Sequence, residues 1–170
     1  MESSEKWRPD FIVAVLAVVI GLCTMFVYIY QAKVMSKQLH SSVWPFVEII
    51  SSNGSSGINI KVVNKGVGPA IIKKHRIILD GVEYKETAID TILFKLVGRN
   101  LNRDISAVQS RVLASGEKIS LLEITSPRDA ISLDSAIRKH TFNIELCYCS
   151  IYDDCWTSKK GKTESCDSCE

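Results

Sequence analysis

The feature that most constrains this chain is an uncharged stretch of 20 residues near its start, residues 11–30. A helix rises about 1.5 Å per residue, so this stretch covers roughly the 30 Å hydrocarbon thickness of a bilayer. Trp7 before the stretch and Tyr28 and Tyr30 at its end are typical of interfacial anchors. The sequence therefore predicts a transmembrane helix at 11–30, preceded by an N-terminal tail at 1–10.

Two other interpretations of this stretch are a buried core helix and a cleaved signal peptide. Core helices seldom avoid charge on every face for about five turns. The residues "YIYQAK" do not resemble a signal-peptide cleavage site. We therefore expect an uncleaved anchor that contacts the lipid bilayer through residues 11–30.

The orientation in the membrane rests on a weak charge signal. Lys6 and Arg8 precede the span and Lys33 and Lys37 follow it, so the positive-inside count is tied. A short N-terminal tail before a first hydrophobic segment is typical of a signal anchor. This arrangement would place residues 41–170 outside the cytoplasm.

The segment after the span, residues 31–41, is rich in helix formers and predicts a helical stalk. Val34, Met35 and Leu39 fall at helical spacing, so the stalk either stands in solvent, packs on the folded domain or packs on a second copy. A homo-oligomer through the membrane helix and stalk is one expectation. Pro45 ends any helix, and the soluble domain is expected to begin near residue 42.

A two-residue hydrophobic period dominates the rest of the chain. Ile58, Ile60 and Val62 alternate with polar residues, as in a half-buried strand. The dipeptide Asp80-Gly81 between two such runs predicts a type I′ hairpin. About seven short strands of this kind favour a mainly β fold, an immunoglobulin-like β-sandwich at 42–158. A Cys-containing C-terminal tail is expected at 159–170.

Two segments break this period and predict short helices. In "AIDTILFKLVG" apolar residues fall at helical spacing and Gly98 is placed to cap the end. In "SPRDAISLDSAIRKH" Ser126 is the expected N-cap and Pro127 the first helical residue. Both helices are expected to cover an end of the β structure.

The stretch "NKGVGPAIIKK" at 64–74 resembles a phosphate-binding loop at first sight. A dinucleotide fingerprint needs a third glycine where this chain has Ile71, and it needs a helix where β-branched residues follow. We therefore expect a structural loop in which the backbone is tight or has positive φ at the glycines and Asn64 tolerates left-handed geometry. Its residues are Asn64, Gly66, Gly68, Pro69 and Ala70.

Several short stretches together resemble a loose group of uncharacterised bacterial single-pass membrane proteins. The stretches are "WPFVEI", "NKGVGPAIIK", "ILDG" and "CSIY", and an Asn-x-Gly-x-Gly-Pro-Ala loop before a strand is the distinctive part. The resemblance implies a membrane-tethered β-domain in the bacterial inner membrane and no transferable activity. The cysteine-rich end of this chain departs from that group.

Five of the six cysteines lie in the last 24 residues. Cys147 and Cys149 share one face of a strand about 7 Å apart, which is awkward for a bond between them, so each is expected to seek a later cysteine. In an exported domain the natural result is two disulfides and one remaining thiol. Zinc binding, redox sensing and incidental thiols remain open. The disulfide candidates are Cys147, Cys149, Cys155, Cys166 and Cys169.

Charge and motif content favour a binding role. The 21 basic and 19 acidic residues leave a net charge of +2, too small for a dedicated nucleic-acid binder. His40, His75 and His140 stand apart from any catalytic motif, so we expect no enzyme, no cofactor and no metal. The favoured hypothesis is a membrane-anchored interaction module that docks an unknown partner protein. The alternatives are a cysteine-based redox or zinc sensor and an assembly subunit of a membrane complex.

Overall fold

The computed structural model describes residues 9–54, 57–159 and 161–169. The chain forms two compact units, a helical unit that ends at Ser41 and a β-domain that begins at Ser42. Lys6, Trp7 and Arg8, on which the expected flanks of the membrane span depend, lie outside the described residues.

One continuous helix, α1 (Pro9–Ser42), includes both the predicted span and the predicted stalk. It is 34 residues long and has no buried residue. Its apolar part is long and apolar enough to cross a membrane. The helix ends three residues before Pro45, as expected from the missing amide donor of proline.

The β-domain contains ten strands among its described residues, arranged in two sheets whose paired strands are all antiparallel. The first sheet has the order β1-β2-β7-β5. Its strands are β1 (Val47–Gly54), β2 (Gly57–Asn64), β5 (Asp104–Ile105) and β7 (Lys118–Ile124). The second sheet has the order β10-β9-β8-β3-β4, and β6 also pairs with β3. Its strands are β3 (Ala70–Leu79), β4 (Val82–Lys85), β6 (Val112–Leu113), β8 (Phe142–Cys149), β9 (Cys155–Lys159) and β10 (Lys162–Cys166).

Both sheets contribute to one buried apolar cluster. It includes Ile60 and Val62 of the first sheet and Ile77 and Leu146 of the second. Helices α2 (Ile89–Val97) and α3 (Pro127–Ile137) add residues such as Leu133 to the same cluster. The expectation of a mainly β domain with two short helices after a long apolar helix is confirmed, while the immunoglobulin-like arrangement stays a prediction.

The local signals in the sequence match the backbone. Asp80 and Gly81 have φ values of 51° and 82°, and Leu79 pairs with Val82 across them, which confirms the hairpin. Gly98 ends α2 with a φ of 74°, and its N–H donates to the carbonyl of Phe94. The side chain of Ser126 accepts a hydrogen bond from the Asp129 N–H and so caps α3.

The boundary expected at residue 158 is wrong, because residue 159 and residues 162–166 belong to strands of the second sheet. Strand β10 pairs with β9 from Lys162 opposite Lys159 to Cys166 opposite Cys155. Its sequence "KTESC" has no alternating apolar pattern because the strand lies at the edge of the sheet and is largely exposed. Lys160 and Glu170 lie outside the described residues.

Candidate functional site

The loop 64–70 and the five C-terminal cysteines, both singled out from the sequence, lie at one end of the β-domain, where the chain enters it at Val43. We call this the Val43 end. Strand β1 begins here and β2 ends here, with Val47 opposite Asn64. In the second sheet Ile71 pairs with Cys149 at the same end. The Tyr148 hydroxyl accepts a hydrogen bond from the Val47 N–H at 3.2 Å and so ties the two sheets together.

The loop 64–70 joins the two sheets and holds the first residues of the domain. The N–H groups of Val67 and Gly68 both donate to the Trp44 carbonyl, at 3.1 and 3.3 Å. The Lys65 N–H donates to the Phe46 carbonyl at 2.7 Å. The residues just after α1 are therefore bound to this loop by three backbone hydrogen bonds.

Asn64 is the centre of the loop and is fully buried. Its Oδ1 accepts hydrogen bonds from the N–H groups of Phe46 and Gly66, at 3.2 and 3.0 Å. Its Nδ2 donates to the carbonyls of Gly68 and Leu113, at 2.8 and 3.1 Å. The amide thus satisfies backbone groups from three separate segments, which is a stabilising use of a buried polar side chain.

The glycines of the loop serve close approach and not positive φ. Neither Gly66 nor Gly68 is among the positive-φ residues, so of the two expected alternatives the tight backbone applies and the positive φ does not, and Asn64 is not left-handed. A Cβ on Gly66 would come closer than 3.0 Å to the backbone of Trp44 and Phe46, and one on Gly68 would do the same to Val43. Pro69 follows, and the buried Ala70 begins β3.

The five C-terminal cysteines converge at the Val43 end. The sulfurs of Cys147 and Cys169 lie within bonding distance, as do those of Cys149 and Cys155. The thiol of Cys166 lies 3.6 Å from the Cys147 sulfur, and the Cys169 sulfur lies 3.7 Å from that of Cys149. The sulfurs therefore form a continuous row, which we call the sulfur chain, in the order 166, 147, 169, 149, 155.

The sulfur chain does not have the shape of a tetrahedral metal site. A structural zinc site takes four ligands at about 2.0 to 2.3 Å, so four sulfurs would surround one point. The sulfurs here form two triplets, Cys147 with Cys166 and Cys169, and Cys149 with Cys155 and Cys169. Among the described residues no fourth ligand completes either triplet.

The Val43 end also presents a set of exposed apolar side chains, each at least 40% exposed. Val67 adjoins Trp44 through its backbone hydrogen bond, and Val112 pairs with Ile71 at the start of β3. Ile151 and Tyr152 follow the end of β8 in the turn toward β9. This set, the Val43-end surface, consists of Trp44, Val67, Val112, Ile151 and Tyr152.

Two ionic contacts join residues distant in the sequence and were not foreseen from it. The Asp129 carboxylate accepts from Arg99 at 2.5 Å and from the Asn102 N–H at 3.2 Å. The pKa of Asp129 is lowered mainly by the hydrogen bond from the Asn102 N–H and, to a smaller extent, by the hydrogen bond from Arg99. His140 Nδ1 lies 2.7 Å from Asp80 Oδ2, and the Thr141 N–H and His140 lower the pKa of Asp80. Both carboxylates fix a chain turn or a helix start, and the sequence separations of 30 and 60 residues hide such contacts.

A cavity of about 200 Å³ lies toward the other end of the domain, beside β1, β2 and β8. Ile49, Ile58, Phe142 and Ile144 are among its lining residues. Its described lining residues include the hydroxyl of Ser51 but no acidic, basic, histidine or cysteine side chain, so no general base adjoins that hydroxyl. The cavity is therefore a weaker candidate site than the Val43 end.

No family model matches the chain, and the search of curated proteins finds no similar protein.

Proposed function

We propose that this protein is a membrane-anchored, non-enzymatic interaction module. In this proposal α1 holds the chain in the bacterial inner membrane as a single-pass anchor. The β-domain, with an immunoglobulin-like arrangement, lies outside the cytoplasm and docks a partner protein at the membrane. The observation that carries the proposal is the Val43-end surface.

The Val43-end surface leaves several apolar side chains in water next to the buried core. Val67 and Val112 are 67% and 57% exposed, whereas the neighbouring Ala70, Ile72 and Leu113 are fully buried. Covering apolar surface stabilises a complex by about 25 cal/mol per Å² before the costs of association. Exposed apolar side chains grouped at one end of a domain favour an interaction site there.

The length of α1 favours a protein over lipid as the occupant of this surface. About 12 residues of α1 follow Tyr30, which is roughly 18 Å of helix. The headgroup region extends only about 5 to 8 Å beyond the hydrocarbon on each side. A stalk of this length exceeds the depth of the headgroup region, so in this proposal the occupant of the Val43-end surface is a protein and not lipid.

Site-specific photo-crosslinking in cells tests this proposal. A photoreactive residue at Val67 or Ile151 is expected to yield one defined protein adduct. The same residue at Val82 is the matched control, since Val82 is 53% exposed and lies beyond the opposite end of β3. Equal adducts at all three positions, or adducts to lipid alone, would contradict the proposal. An adduct of twice the chain mass would instead support a homo-oligomer, as in an assembly subunit.

A second candidate function is a thiol–disulfide sensor, and the sulfur chain is the observation that favours it. Three of its sulfurs belong to buried residues, while Cys166 and Cys169 are partly exposed. Reactive cysteines need such access to reagents. A count of free thiols in protein quenched with acid straight from cells tests this candidate. One free thiol among the five supports it, and stoichiometric zinc with five reduced thiols supports a zinc sensor instead.

A further inference from the structure

We propose that the sulfur chain is a thiol–disulfide exchange site in which one free thiol moves between Cys166, Cys169 and Cys155. The proposal rests on the second candidate function, a domain that holds two disulfides and one thiol. Its basis is the order of contacts: each bonded pair of sulfurs lies within 3.7 Å of the next sulfur in the row.

The first step is attack by Cys166 on the bridge between Cys147 and Cys169. The Cys166 thiol gives its proton to water, and the resulting thiolate, which starts 3.6 Å from the Cys147 sulfur, turns into line with the Cys147–Cys169 bond before it attacks. A Cys147–Cys166 bond forms and the Cys147–Cys169 bond breaks. The electron pair of the broken bond leaves on the Cys169 sulfur, which takes up a proton or reacts further.

The second step passes the thiol to a buried position. The Cys169 thiolate lies 3.7 Å from the Cys149 sulfur, which is bonded to Cys155. A Cys149–Cys169 bond forms, the Cys149–Cys155 bond breaks, and the electron pair and a proton end on Cys155. The number of disulfides stays at two, so the exchange needs no oxidant or reductant.

Thr157 is a positioning residue for the first step. Its hydroxyl group lies 3.6 Å from the sulfurs of both Cys147 and Cys166. Thr157 lies on β9, where it pairs with Cys147 of β8 on one side and with Glu164 of β10 on the other. These pairings hold its hydroxyl group between the two reacting sulfurs. A donor there stabilises the negative charge that the two sulfurs share during exchange.

The exchange changes what the domain presents to solvent. Cys166 and Cys169 are partly exposed, whereas Cys155 is 8% exposed. The thiol is thus open to reagents in two of the three bonding patterns and shielded in the third. The sulfur chain would give the Val43 end a reactive form and an unreactive form without any change in oxidation level.

The test is the position of the free thiol in the full-length protein in detergent, quenched with acid, alkylated and mapped without reduction. The expected result is one label per molecule in the cluster, shared among Cys166, Cys169 and Cys155. Cys23 lies far from these residues in the sequence and serves as the internal reference for complete labelling. Label confined to Cys166 overturns the exchange and leaves the second candidate function standing. Five alkylated cysteines overturn both.

Two sets of variants sharpen this test. In Cys155→Ser the exchange keeps one disulfide and two thiols, but a Cys147–Cys166 bond replaces the Cys147–Cys169 bond, so the thiols are found at Cys149 and Cys169. Fixed disulfides would leave two thiols, at Cys149 and Cys166, and would overturn the proposal. Thr157→Val is expected to slow the movement of the free thiol between cysteines severalfold. Thr157→Ser is expected to restore the wild-type rate. An equal rate in both variants overturns the role of Thr157.

Discussion

Gly68 packs directly against the carbonyl group of Val43, the first residue after α1. The approach is so close that the backbone of Val43 occupies the space where a Cβ of residue 68 would lie. The loop that joins the two sheets therefore also fixes the point at which the chain enters the β-domain. This contact accounts for glycine at position 68, and the close approach of Trp44 and Phe46 accounts for glycine at position 66.

Gly68→Ala should destabilise the β-domain. Because the neighbouring atoms are backbone, the segment at Val43 must shift, and we expect a loss of about 2 to 3 kcal/mol in the free energy of unfolding. Gly116→Ala is the control, since Gly116 has a φ of 77° and open space around it, and should cost only about 1 kcal/mol. Denaturant unfolding in detergent measures both. Equal losses would show that the close approach is unimportant.

Asn64→Ala should also destabilise the domain, because it leaves buried N–H and carbonyl groups without the amide that satisfies them. We expect a loss of about 2 to 4 kcal/mol. The exposed Asn102 provides a control, and Asn102→Ala should change the free energy of unfolding by less than about 0.5 kcal/mol. An Asn64 variant as stable as the wild-type protein would contradict the central place given to this side chain.

Local features of this fold follow from the sequence, and long-range ones do not. The hairpin at Asp80-Gly81 and the caps at Gly98 and Ser126 are set by residues within a few positions, so their patterns are readable. The role of Asn64 depends on Leu113 and Phe46, which only the tertiary fold brings near. Strand β10 was missed because an exposed edge strand needs no apolar alternation. The row order of the five sulfurs likewise depends on the register of β8, β9 and β10.

The stability of the domain should fall in acid partly because of Asp129. The Asn102 N–H and Arg99 hold the pKa of this carboxyl below its ordinary value of 3.8. A lowered pKa contributes stability that is present above the ordinary value and is lost as pH falls through the pKa of the folded state. Asp129→Asn should therefore be less stable at pH 7 and show a weaker decline between about pH 5 and pH 2. Denaturant unfolding across this pH range measures the stability at pH 7 and its decline in acid. A decline as steep as that of the wild-type protein would contradict the role of Asp129.

The disulfides should not be equally sensitive to substitution. Cys147→Ser removes the residue that both Cys166 and Cys169 can reach, and we expect a loss of about 2 to 4 kcal/mol. Cys169→Ser should cost less, because Cys166 lies 3.6 Å from the Cys147 sulfur and takes the place of Cys169. Cys23→Ser, in α1, is the control and should leave domain unfolding unchanged. Equal losses of unfolding free energy in Cys147→Ser and Cys169→Ser would show that Cys166 does not replace Cys169 as the partner of Cys147.

Membrane attachment should depend on α1 alone. The full-length protein is expected to stay with membranes through an alkaline carbonate wash, because the apolar part of α1 matches the bilayer thickness. Deletion of residues 1–40 should release the protein. Full-length protein found in the soluble fraction without detergent would show that α1 packs as a core helix.

Thiol accessibility in cells tests whether the β-domain is anchored in an oxidising compartment with its cysteines at the Val43 end. Spheroplasts are treated with a membrane-impermeant maleimide, quenched with acid, and the cysteine peptides are mapped without reduction. We expect one labelled thiol per molecule among residues 147–169 and two disulfides, in spheroplasts that have not been lysed. Five reduced thiols that react only after lysis would contradict it.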